Sequence, residues 1–493
     1  MSSASAHAGS GLLRTTARPT GMLLLVLSVC MAACAVMGPL RGSLGGSVAM
    51  VVAASICAGF GGVALLVGRR AQREIGRREA LFIVAVAWLS CGVFGGLPFV
   101  IGAHLSPADA FFEAVSGFTT TGATILPEIE HRLSPSLHLW RMLTHWLGGL
   151  GIVVLFVALF PALGVGGKHL FRTESPGPQS EGLAPRIRET ASVLWKVYAA
   201  ITALEVALLM LAGMDWFEAL VHAFATMGTG GFSTRNASIA AFDSLPVEII
   251  ITIFMVVAGG NFGLFYEALR SGPRALLENT EFRVYIGIFA AVSLLITIDI
   301  HGSVHETIGQ SLRYASFQVA SIMTTTGFGT DDFEAWPTFS QTLLVVLYFI
   351  GGCAGSTAGG IKVVRVVIIF KAIMGEIRRG FRPTLVAPVR VGHLAVPGNV
   401  VTESLAFGMV YLLTVGMGGV LVALFDSVDL TTALMASLAC VANVGPGLGM
   451  VGPTDNYAFF SAASKTVLSL CMLLGRLEFF ALLALFVPTF WRR

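Results

Sequence analysis

The sequence predicts an all-α integral membrane protein, and three observations support that prediction. Of the 493 residues, 55% are hydrophobic and only 12% are charged, with a mean hydropathy of +0.81. A water-soluble chain of this length needs more charged residues to cover its surface. The charges lie in short stretches between apolar runs that are long enough to cross the ~30 Å hydrocarbon layer of a bilayer. Short Thr- and Gly-rich segments recur four times between these runs.

The N-terminal part, residues 1–78, is predicted to be a two-helix hairpin followed by a basic link. Two apolar runs, residues 21–37 and 47–67, follow one another closely. The first run and residues 31–34 also resemble a cleavable signal sequence. The second apolar run follows at once, which favours a hairpin. The link contains Arg69, Arg70, Arg73, Arg77 and Arg78.

From residue 79 onward, the chain is predicted to repeat one unit four times. Each unit has a long apolar helix, a short amphipathic helix that ends in a Thr/Gly-rich pore loop, and a second long helix. The short helices cannot span a bilayer, so they are expected to be re-entrant, with backbone that lines a cavity or is buried in protein. The first helices are expected at residues 80–103, 190–212, 282–300 and 401–425, and the second helices at 138–163, 246–270, 339–371 and 460–487. The repeats span residues 79–167, 168–272, 273–392 and 393–493, which gives about ten transmembrane helices.

The four loops share one pattern, because each begins with Ser or Ala and ends with Gly at the same offset. Their terminal glycines are spaced by about 100 residues, which indicates one structural unit used repeatedly. Each unit contains two crossings, so all four loops enter from the same side and are expected to form a pseudo-fourfold ring. The loops are residues 116–122, 225–231, 321–327 and 439–445.

Charge predicts the orientation of the chain. Basic residues collect in the links between units, and the positive-inside rule places these links and both termini in the cytoplasm. Acidic residues collect near the loops, and this acidic mouth is expected to face outward and concentrate cations. The basic residues include Lys168, Arg172, Arg270, Arg274, Lys371, Arg378, Arg492 and Arg493, and the acidic residues include Asp299, Glu306, Asp331, Asp332, Glu334, Asp426, Asp429 and Asp455.

The loops carry the residue types of a cation filter. Rings of backbone carbonyl oxygens can replace the hydration shell of a cation. Glycine permits the positive φ that lets successive carbonyls point one way, and threonine adds a hydroxyl oxygen. For a single such loop, close helix packing would be the better explanation, but four loops in register favour a filter. The predicted cation-binding residues are Thr120, Thr121, Gly122, Thr229, Gly230, Gly231, Thr325, Thr326, Gly327, Asn443, Val444 and Gly445.

These loops and the motifs around them resemble a known family over nearly the whole chain. The chain resembles TrkH, the membrane subunit of bacterial Trk potassium-uptake systems, in the superfamily that also holds KtrB and plant HKT proteins. The N-terminal hairpin is similar to TrkH and not to the shorter KtrB. The motifs are Thr119-Thr-Thr-Gly-Ala-Thr124, Thr229-Gly-Gly-Phe-Ser-Thr234, Thr324-Thr-Thr-Gly-Phe-Gly-Thr330, Asn443-Val-Gly-Pro-Gly-Leu-Gly449, His145-Trp-Leu-Gly-Gly-Leu-Gly-Ile152, Thr173-Glu-Ser-Pro-Gly-Pro178, Gly351-Gly-Cys-Ala-Gly-Ser-Thr357 and Gly475-Arg-Leu-Glu478.

The resemblance implies channel-like potassium entry across the bacterial cytoplasmic (inner) membrane. It implies a homodimer with one pore in each protomer and a cytosolic, nucleotide-binding regulator of the TrkA type. No tightly bound cofactor is expected beyond K⁺ ions in the pore, and nucleotide is expected only on the partner subunit. In plant members of the superfamily, Ser in place of the first-loop glycine is associated with a preference for sodium. This chain has Gly122 at that position, so the resemblance implies a preference for potassium. Asn443 and Pro446 set the fourth loop apart, which predicts an asymmetric filter.

Two further features are predicted to control the passage. Gly351, Gly352, Gly355, Gly359 and Gly360 should break the second helix of the third repeat and leave a flexible loop at residues 351–360. In the family that the chain resembles, this loop obstructs the pore and moves on opening. Packing alone is an alternative explanation for the glycines.

Arg476 is the second such feature. It is expected near the middle of the last long helix, roughly 20 Å from either end at ~1.5 Å per residue. An arginine at that depth costs about 2.5–3.5 kcal/mol, so Arg476 is expected to line the pore below the filter and repel cations. A structural arginine that snorkels towards the interface is the alternative.

Other classes of function have less support in the sequence. The seven cysteines lack metal-ligand and CxxC spacing, and the chain has no recognisable phosphate loop or nucleophile elbow, so we do not predict an enzyme. A secondary transporter in which H⁺ or Na⁺ drives potassium is the main alternative. It would need intramembrane carboxylates, for which Glu205 and Glu478 are candidates.

Overall fold

The structure, a computed structural model, describes residues 2–70, 76–151, 183–384, 388–392 and 394–491. These residues are mainly helical, and their only strands form a small antiparallel pair, Arg390–Val391 with Leu394–Ala395. Six of the described helices are long and apolar enough to cross a membrane. Two further helix pairs would do so as bent units, with bends of 95° and 114°. The predicted all-α membrane fold is therefore confirmed.

The N-terminal hairpin consists of Ser2–Ala35 and Leu44–Val67, with the short helix Met37–Leu40 between them and a 3₁₀ turn at Gly68–Arg70. The two long helices pack closely where Gly21 faces Gly61. A Cβ atom added at Gly21 would lie 2.8 Å from the Gly61 carbonyl oxygen. Small residues permit this close approach, as in other membrane helix pairs.

Four lead helices and four short helices follow in alternation. Each short helix begins at a side chain that accepts a hydrogen bond from a backbone N–H of its first turn, and these caps are Ser106, Asp215, Thr307 and Asp429. The last two turns of each short helix are almost entirely buried, so the loops that follow lie deep in the fold. The lead helices are Arg77–Gly102, Leu183–Leu211, Thr280–Ile300 and Gly398–Phe425, and the short helices are Pro107–Phe118, Trp216–Met227, Ile308–Met323 and Leu430–Ala442.

The second helix of each unit, here called the trailing helix, is broken in the three units where the structure describes its full length. The expectation of continuous helices at 246–270 and 460–487 is wrong, whereas the predicted break in the third unit is present. The first trailing helix, Pro135–Trp146, is followed by a wider turn, Leu147–Gly151, which is kinked at Gly149 (φ −66°, ψ −118°) and ends at the last described residue of this stretch. The others are Leu245–Ala258 with Phe262–Ser271, Thr338–Leu347 with Val363–Phe381, and Ala462–Arg476 with Phe480–Leu483.

Two different local causes produce the unpredicted breaks. After Gly259 and Gly260, the Asn261 side chain accepts hydrogen bonds from the N–H groups of Gly263 and Leu264, and so starts a new helix. In the fourth unit, Glu478 and Phe479 both adopt positive φ, of 53° and 63°, although neither is glycine. The first break has a recognisable sequence signal, namely two glycines followed by an asparagine that can cap a helix. The second break has no such signal.

The remaining helical elements are short and lie in the connections. They are Ile129–Arg132, Ser238–Phe242, Arg274–Glu278, Phe333–Ala335, Ala484–Phe486 and Pro488–Trp491. Several sequence-based predictions lie outside the described residues: the end of the first trailing helix, the 173–178 motif, and Lys168, Arg172, Arg492 and Arg493. The repeat boundaries and the orientation in the membrane remain predictions.

Candidate functional site

The four loops have the same backbone shape. In each, a residue one or two positions beyond the end of the short helix adopts positive φ, and so does the residue two positions after it. The φ values are 53° and 79° for Thr120 and Gly122, 53° and 75° for Thr229 and Gly231, 56° and 83° for Thr325 and Gly327, and 57° and 95° for Asn443 and Gly445. The residue between them donates its N–H to the backbone carbonyl of the residue five positions earlier, at N–O distances of 2.8–2.9 Å. The donor–acceptor pairs are Thr121–Ser116, Gly230–Ala225, Thr326–Ser321 and Val444–Ala439.

Three of these positive φ values fall on threonine, a β-branched residue for which they are rare. Such a conformation costs about 1–3 kcal/mol and is found mainly at functional sites. Local hydrogen bonds offset part of this cost: Thr325 Oγ1 accepts from the Gly359 N–H at 2.7 Å, and the Thr229 hydroxyl donates to the Gly228 carbonyl at 2.6 Å. Four of the nine non-glycine residues with positive φ in the described chain are thus predicted cation-binding residues, one in each loop.

The loops form a closed ring. A Cβ atom added at Gly122 would overlap the carbonyl oxygen of Gly230 in the second loop. In the same way, a Cβ atom added at Gly231 would overlap the Thr326 carbonyl oxygen of the third loop, and one added at Gly327 would overlap the Val444 carbonyl oxygen of the fourth loop. Gly445 completes the circle, because its added Cβ would lie 2.5 Å from the Thr121 carbonyl oxygen. Each loop thus packs against the next at the same position, and the fourth packs against the first.

Several backbone oxygens of this ring have no hydrogen-bond donor among the described residues. Within the described chain, no hydrogen bond reaches the carbonyl oxygens of the residues given at the end of this paragraph. Thr120 Oγ1 and Asn443 Oδ1 are also buried without a partner among the described residues. Buried oxygens of this kind need a water or a cation as partner. The free carbonyls belong to Thr121, Gly122, Gly230, Gly231, Thr326 and Gly327.

A buried ion pair connects the first loop to the second. Arg141 Nε lies 2.6 Å from Glu113 Oε1, and both side chains are almost completely buried. Glu113 also accepts the Ile125 N–H at 3.0 Å, just beyond the first loop. Arg141 Nη1 donates to the Ser233 carbonyl at 2.9 Å, and its guanidinium lies 3.5 Å from the centre of the Phe232 ring, both beyond the second loop. The pair therefore fixes the two loops relative to one another.

His145 makes a second connection between the same loops. Its Nδ1 lies 2.8 Å from the Gly117 carbonyl oxygen, and its Nε2 lies 3.3 Å from the Phe232 backbone nitrogen. Nδ1 therefore donates and Nε2 accepts, which is the pattern of a neutral imidazole. Two further ion pairs join short helices to trailing helices of the neighbouring unit: Lys465 with Asp109 at 2.6 Å, and Arg313 with Glu248 at 2.6 Å.

The glycine-rich segment 351–360 lies directly against the loops. Helical structure stops at Leu347 and resumes at Val363. Gly359 donates its N–H to Thr325 Oγ1, and a Cβ atom added at Gly359 would lie 2.6 Å from the Ala442 carbonyl oxygen. Gly355 and Gly360 have φ of 76° and 64°.

Backbone contacts hold both ends of this segment. Gly351 donates its N–H to the Ile361 carbonyl at 2.8 Å, and the Gly352 carbonyl accepts from the Val363 N–H at 3.1 Å. Glu281, at the start of the third lead helix, accepts the N–H groups of Ala354 at 2.8 Å and Val364 at 3.1 Å with the same oxygen, Oε1. The structure thus brings the five predicted glycines together next to the ring.

Arg476 contacts this segment, but its position in the helix differs from the expectation. It is the last residue of Ala462–Arg476, where the chain bends, and not the middle of a long helix. Arg476 Nη1 donates to the Thr357 carbonyl and Nη2 to the Gly148 carbonyl, both at 2.7 Å. Glu478 pairs with Arg365 at 2.7 Å. Arg476 therefore ties the glycine-rich segment to the first trailing helix.

Comparison with known proteins identifies the family. The family model for the cation transport protein TrkH matches residues 47–493.

The chain belongs to the TrkH family.

Similar TrkH proteins cover nearly the same length. The chain is 40% identical to the Trk system potassium uptake protein TrkH of Halomonas elongata over 491 residues, which span 98% of this chain and 100% of that protein. It is 40% identical to TrkH of Escherichia coli (strain K12) over 429 residues, 86% of this chain and 88% of that protein. The crystal structure of the potassium transporter TrkH from Vibrio parahaemolyticus superimposes with a TM-score of 0.87 at 36% identity, covering 97% of this chain and 99% of that one. The resemblance inferred from the sequence is confirmed, and this TrkH-family chain is a multi-pass membrane protein.

Several residues of the site were missed by sequence reasoning. Arg141, Glu113 and Lys465 could have been noticed, because single charges in apolar helices usually mark functional or paired positions. Glu281 gives no such signal, because its importance comes only from the backbone N–H groups that the fold brings to it. Thr357 lies in a motif that the sequence singles out, but its contact with Arg476 depends on the fold.

Proposed function

We propose that this protein takes up potassium through the ring of four loops, as a channel-like pathway in the bacterial inner membrane. The observation that carries the proposal is the closed contact of each loop glycine with the next loop, which arranges free backbone oxygens around one centre. Carbonyl and hydroxyl oxygens without formal charge suit a weakly hydrated monovalent cation such as K⁺. The names of the similar TrkH proteins support potassium as the ion.

Potassium would exchange its hydration shell for these oxygens without strong binding by a formal charge. Conduction needs sites that are favourable enough to enter and weak enough to leave. The acidic residues near the ring would raise the local K⁺ concentration at the entrance. The strained loops are held by the Glu113–Arg141 pair and by His145, which keeps the oxygens at fixed distances.

We further propose that the segment 351–360 is the gate. Its contacts with Thr325 and Ala442 place it against the ring, so an ion that leaves the loops meets this segment. Arg476 would stabilise the closed state through its two carbonyl contacts and would repel cations by its charge. Movement of the segment would be controlled by a cytosolic, nucleotide-binding partner of the TrkA type, in a homodimer with one pore per protomer and both termini in the cytoplasm.

Coupling to H⁺ or Na⁺ is the alternative, and the two candidate carboxylates do not favour it. Glu478 is paired with Arg365, and Glu205 is fully buried on the second lead helix, outside the four loops. A coupled transporter would show a reversal potential for potassium that depends on the pH or Na⁺ gradient. A channel-like pathway would follow the K⁺ gradient alone.

The proposal is tested by ion flux into liposomes that contain the purified protein, with K⁺, Rb⁺ and Na⁺ compared. Gly122→Ser should weaken selective K⁺ and Rb⁺ entry, because the added atoms would overlap the Gly230 carbonyl oxygen. Gly287→Ser is the matched control, since an added Cβ there meets nothing within 4 Å. If no cation enters, flux is repeated with the regulatory partner present. Continued absence of flux, or equal entry of all three cations, would overturn the proposal.

A further inference from the structure

The fourth loop differs from the other three in what its carbonyl groups contact. The Tyr457 hydroxyl donates to the Gly445 carbonyl oxygen over 2.7 Å. The Tyr348 hydroxyl donates to the next carbonyl, that of Pro446, over 2.6 Å. Two consecutive carbonyl groups of this loop are therefore occupied by buried tyrosine hydroxyls.

At the position equivalent to Gly445, the other loops have Gly122, Gly231 and Gly327. No described residue donates a hydrogen bond to the carbonyl oxygen of any of these three. The backbone differs as well: φ is 95° at Gly445, compared with 75–83° at the other three. Its contact with the neighbouring loop, at 2.5 Å from the added Cβ, is also the longest of the four.

Tyr457 is held rigidly in the position from which it donates. Its side chain is 2% exposed, and its ring centre lies 5.5 Å from that of Phe112 in the first short helix. Its backbone N–H donates to the Thr124 carbonyl at 2.7 Å, just beyond the first loop. Tyr457 therefore spans the junction between loops 4 and 1, and the direction of its hydroxyl is fixed.

We propose that Tyr457 is a specificity-determining residue, which withholds the Gly445 carbonyl from the ion and leaves three carbonyl ligands at that level of the ring. The inference rests on the function proposed above. Discrimination of K⁺ from Na⁺ in a carbonyl filter depends on the number and field strength of the coordinating dipoles. A carbonyl dipole that is engaged by a short hydrogen bond to a fixed hydroxyl contributes less to the ion. The native ring is therefore less selective than four equivalent loops would be.

The test is the K⁺/Na⁺ flux ratio of Tyr457→Phe, measured in liposomes at equal protein content. Phenylalanine keeps the ring and its packing but removes the donor, so the Gly445 carbonyl becomes available. We expect the K⁺/Na⁺ ratio to rise by about threefold or more as the fourth dipole is added. Tyr457→Leu, which also lacks the hydroxyl but has a smaller side chain, provides a second variant whose ratio should change in the same direction.

Tyr285→Phe is the matched control. Tyr285 is equally buried, and its hydroxyl donates at 3.0 Å to the Val256 carbonyl, which belongs to a trailing helix and not to a loop. Its K⁺/Na⁺ ratio should equal that of the parent protein. An unchanged ratio in Tyr457→Phe, or a fall in that ratio, would overturn the inference, because Tyr457 would then be neutral or would support a K⁺ ligand. With either of these results, the proposed function still stands if the parent protein shows a K⁺/Na⁺ flux ratio above one.

Discussion

Arg141 and Glu113 form an ion pair in which both partners are withdrawn from solvent, with side chains 1% and 0% exposed. The Nε–Oε1 distance is 2.6 Å, and the remaining donors and acceptors of the pair contact the first two loops. The desolvation of two charges offsets most of the attraction between them, so such a pair adds little net stability. We infer that its value lies in positioning the loops.

Arg141→Met should therefore destabilise the protein strongly, because it leaves the Glu113 carboxylate buried without its partner. The expected loss is about 3–5 kcal/mol, measured as a fall in the thermal unfolding midpoint in detergent. The double variant Arg141→Met with Glu113→Leu should recover much of the stability but not the K⁺ selectivity. Arg379→Met is the control, because its pair with Glu376 is exposed. Recovery of selectivity in the double variant would contradict the positioning role.

Gly231→Ala should abolish selective flux while Gly213→Ala should not. Both glycines have positive φ, 75° and 97°, so both variants carry the same type of backbone strain, about 1 kcal/mol. Only at Gly231 does the added methyl group overlap a neighbouring loop, at the Thr326 carbonyl oxygen, whereas nothing lies within 4 Å at Gly213. Flux of K⁺ and Na⁺ in liposomes separates the two effects. Equal losses in the two variants would show that strain, and not the ring contact, is responsible.

Arg476→Met should increase K⁺ flux in the absence of any partner protein. The substitution removes a positive charge and both hydrogen bonds, to Thr357 and Gly148. An increase of about tenfold is expected, which corresponds to about 1.4 kcal/mol of lost barrier. Arg476→Lys should have an intermediate effect, since one ammonium group keeps the charge but not the fixed two-carbonyl geometry. Unchanged flux with normal protein levels would refute the role of Arg476 in closing the pathway.

Glu281→Ala should also raise flux without the partner, because it releases the N–H groups of Ala354, inside the glycine-rich segment, and of Val364, in the helix that follows it. Glu281→Gln keeps an acceptor oxygen and should stay close to the parent. Glu278→Ala, three residues earlier and exposed, is the control. Amide hydrogen exchange of residues 351–364 gives an independent readout, since faster exchange is expected only in Glu281→Ala.

Acidification should reduce K⁺ flux through loss of charge at Glu334. Partial burial, with the nearby carboxylates of Asp332 and Asp455, raises the pKa of Glu334, although the Gly449 N–H opposes this. Because the pKa is raised, Glu334 loses its charge at a higher pH than an exposed glutamate does. Local attraction of cations therefore weakens early as the pH falls.

Glu334→Gln should lower K⁺ flux at neutral pH by about twofold at low ionic strength and flatten the acid-side decline. Glu306→Gln, at an exposed position, is the control. An identical pH profile in Glu334→Gln and the parent protein would exclude Glu334 as the titrating group.

The loops could be predicted from sequence because their signal is local. Positive φ at Gly122 and its equivalents is encoded by the glycine itself, and the preceding short helix is encoded by its capping residue and apolar spacing. The break at residues 351–360 follows from a dense run of glycines for the same reason. These features depend on residues that are neighbours in the chain.

The features that sequence did not predict depend on tertiary contacts. The sequence predicts a mid-helix position for Arg476 because nothing at Glu478 or Phe479 marks a turn, yet both adopt positive φ. The Tyr457–Gly445 contact is equally hidden, since a tyrosine in a polar connection has many possible partners until the chain is folded. Isolated charges in apolar helices, such as Glu113 and Arg141, do not show by themselves which residues form an ion pair.

The closing of the ring by a single polypeptide has a consequence for how such a passage can evolve. In a homotetramer, one codon specifies all four junctions, so every mutation is applied four times around the axis. Here each junction, such as that between Gly445 and Thr121, has its own codons. A mutation can therefore alter one loop while the other three are conserved. Natural selection can adjust ion preference one loop at a time, which is impossible in a symmetric homotetramer.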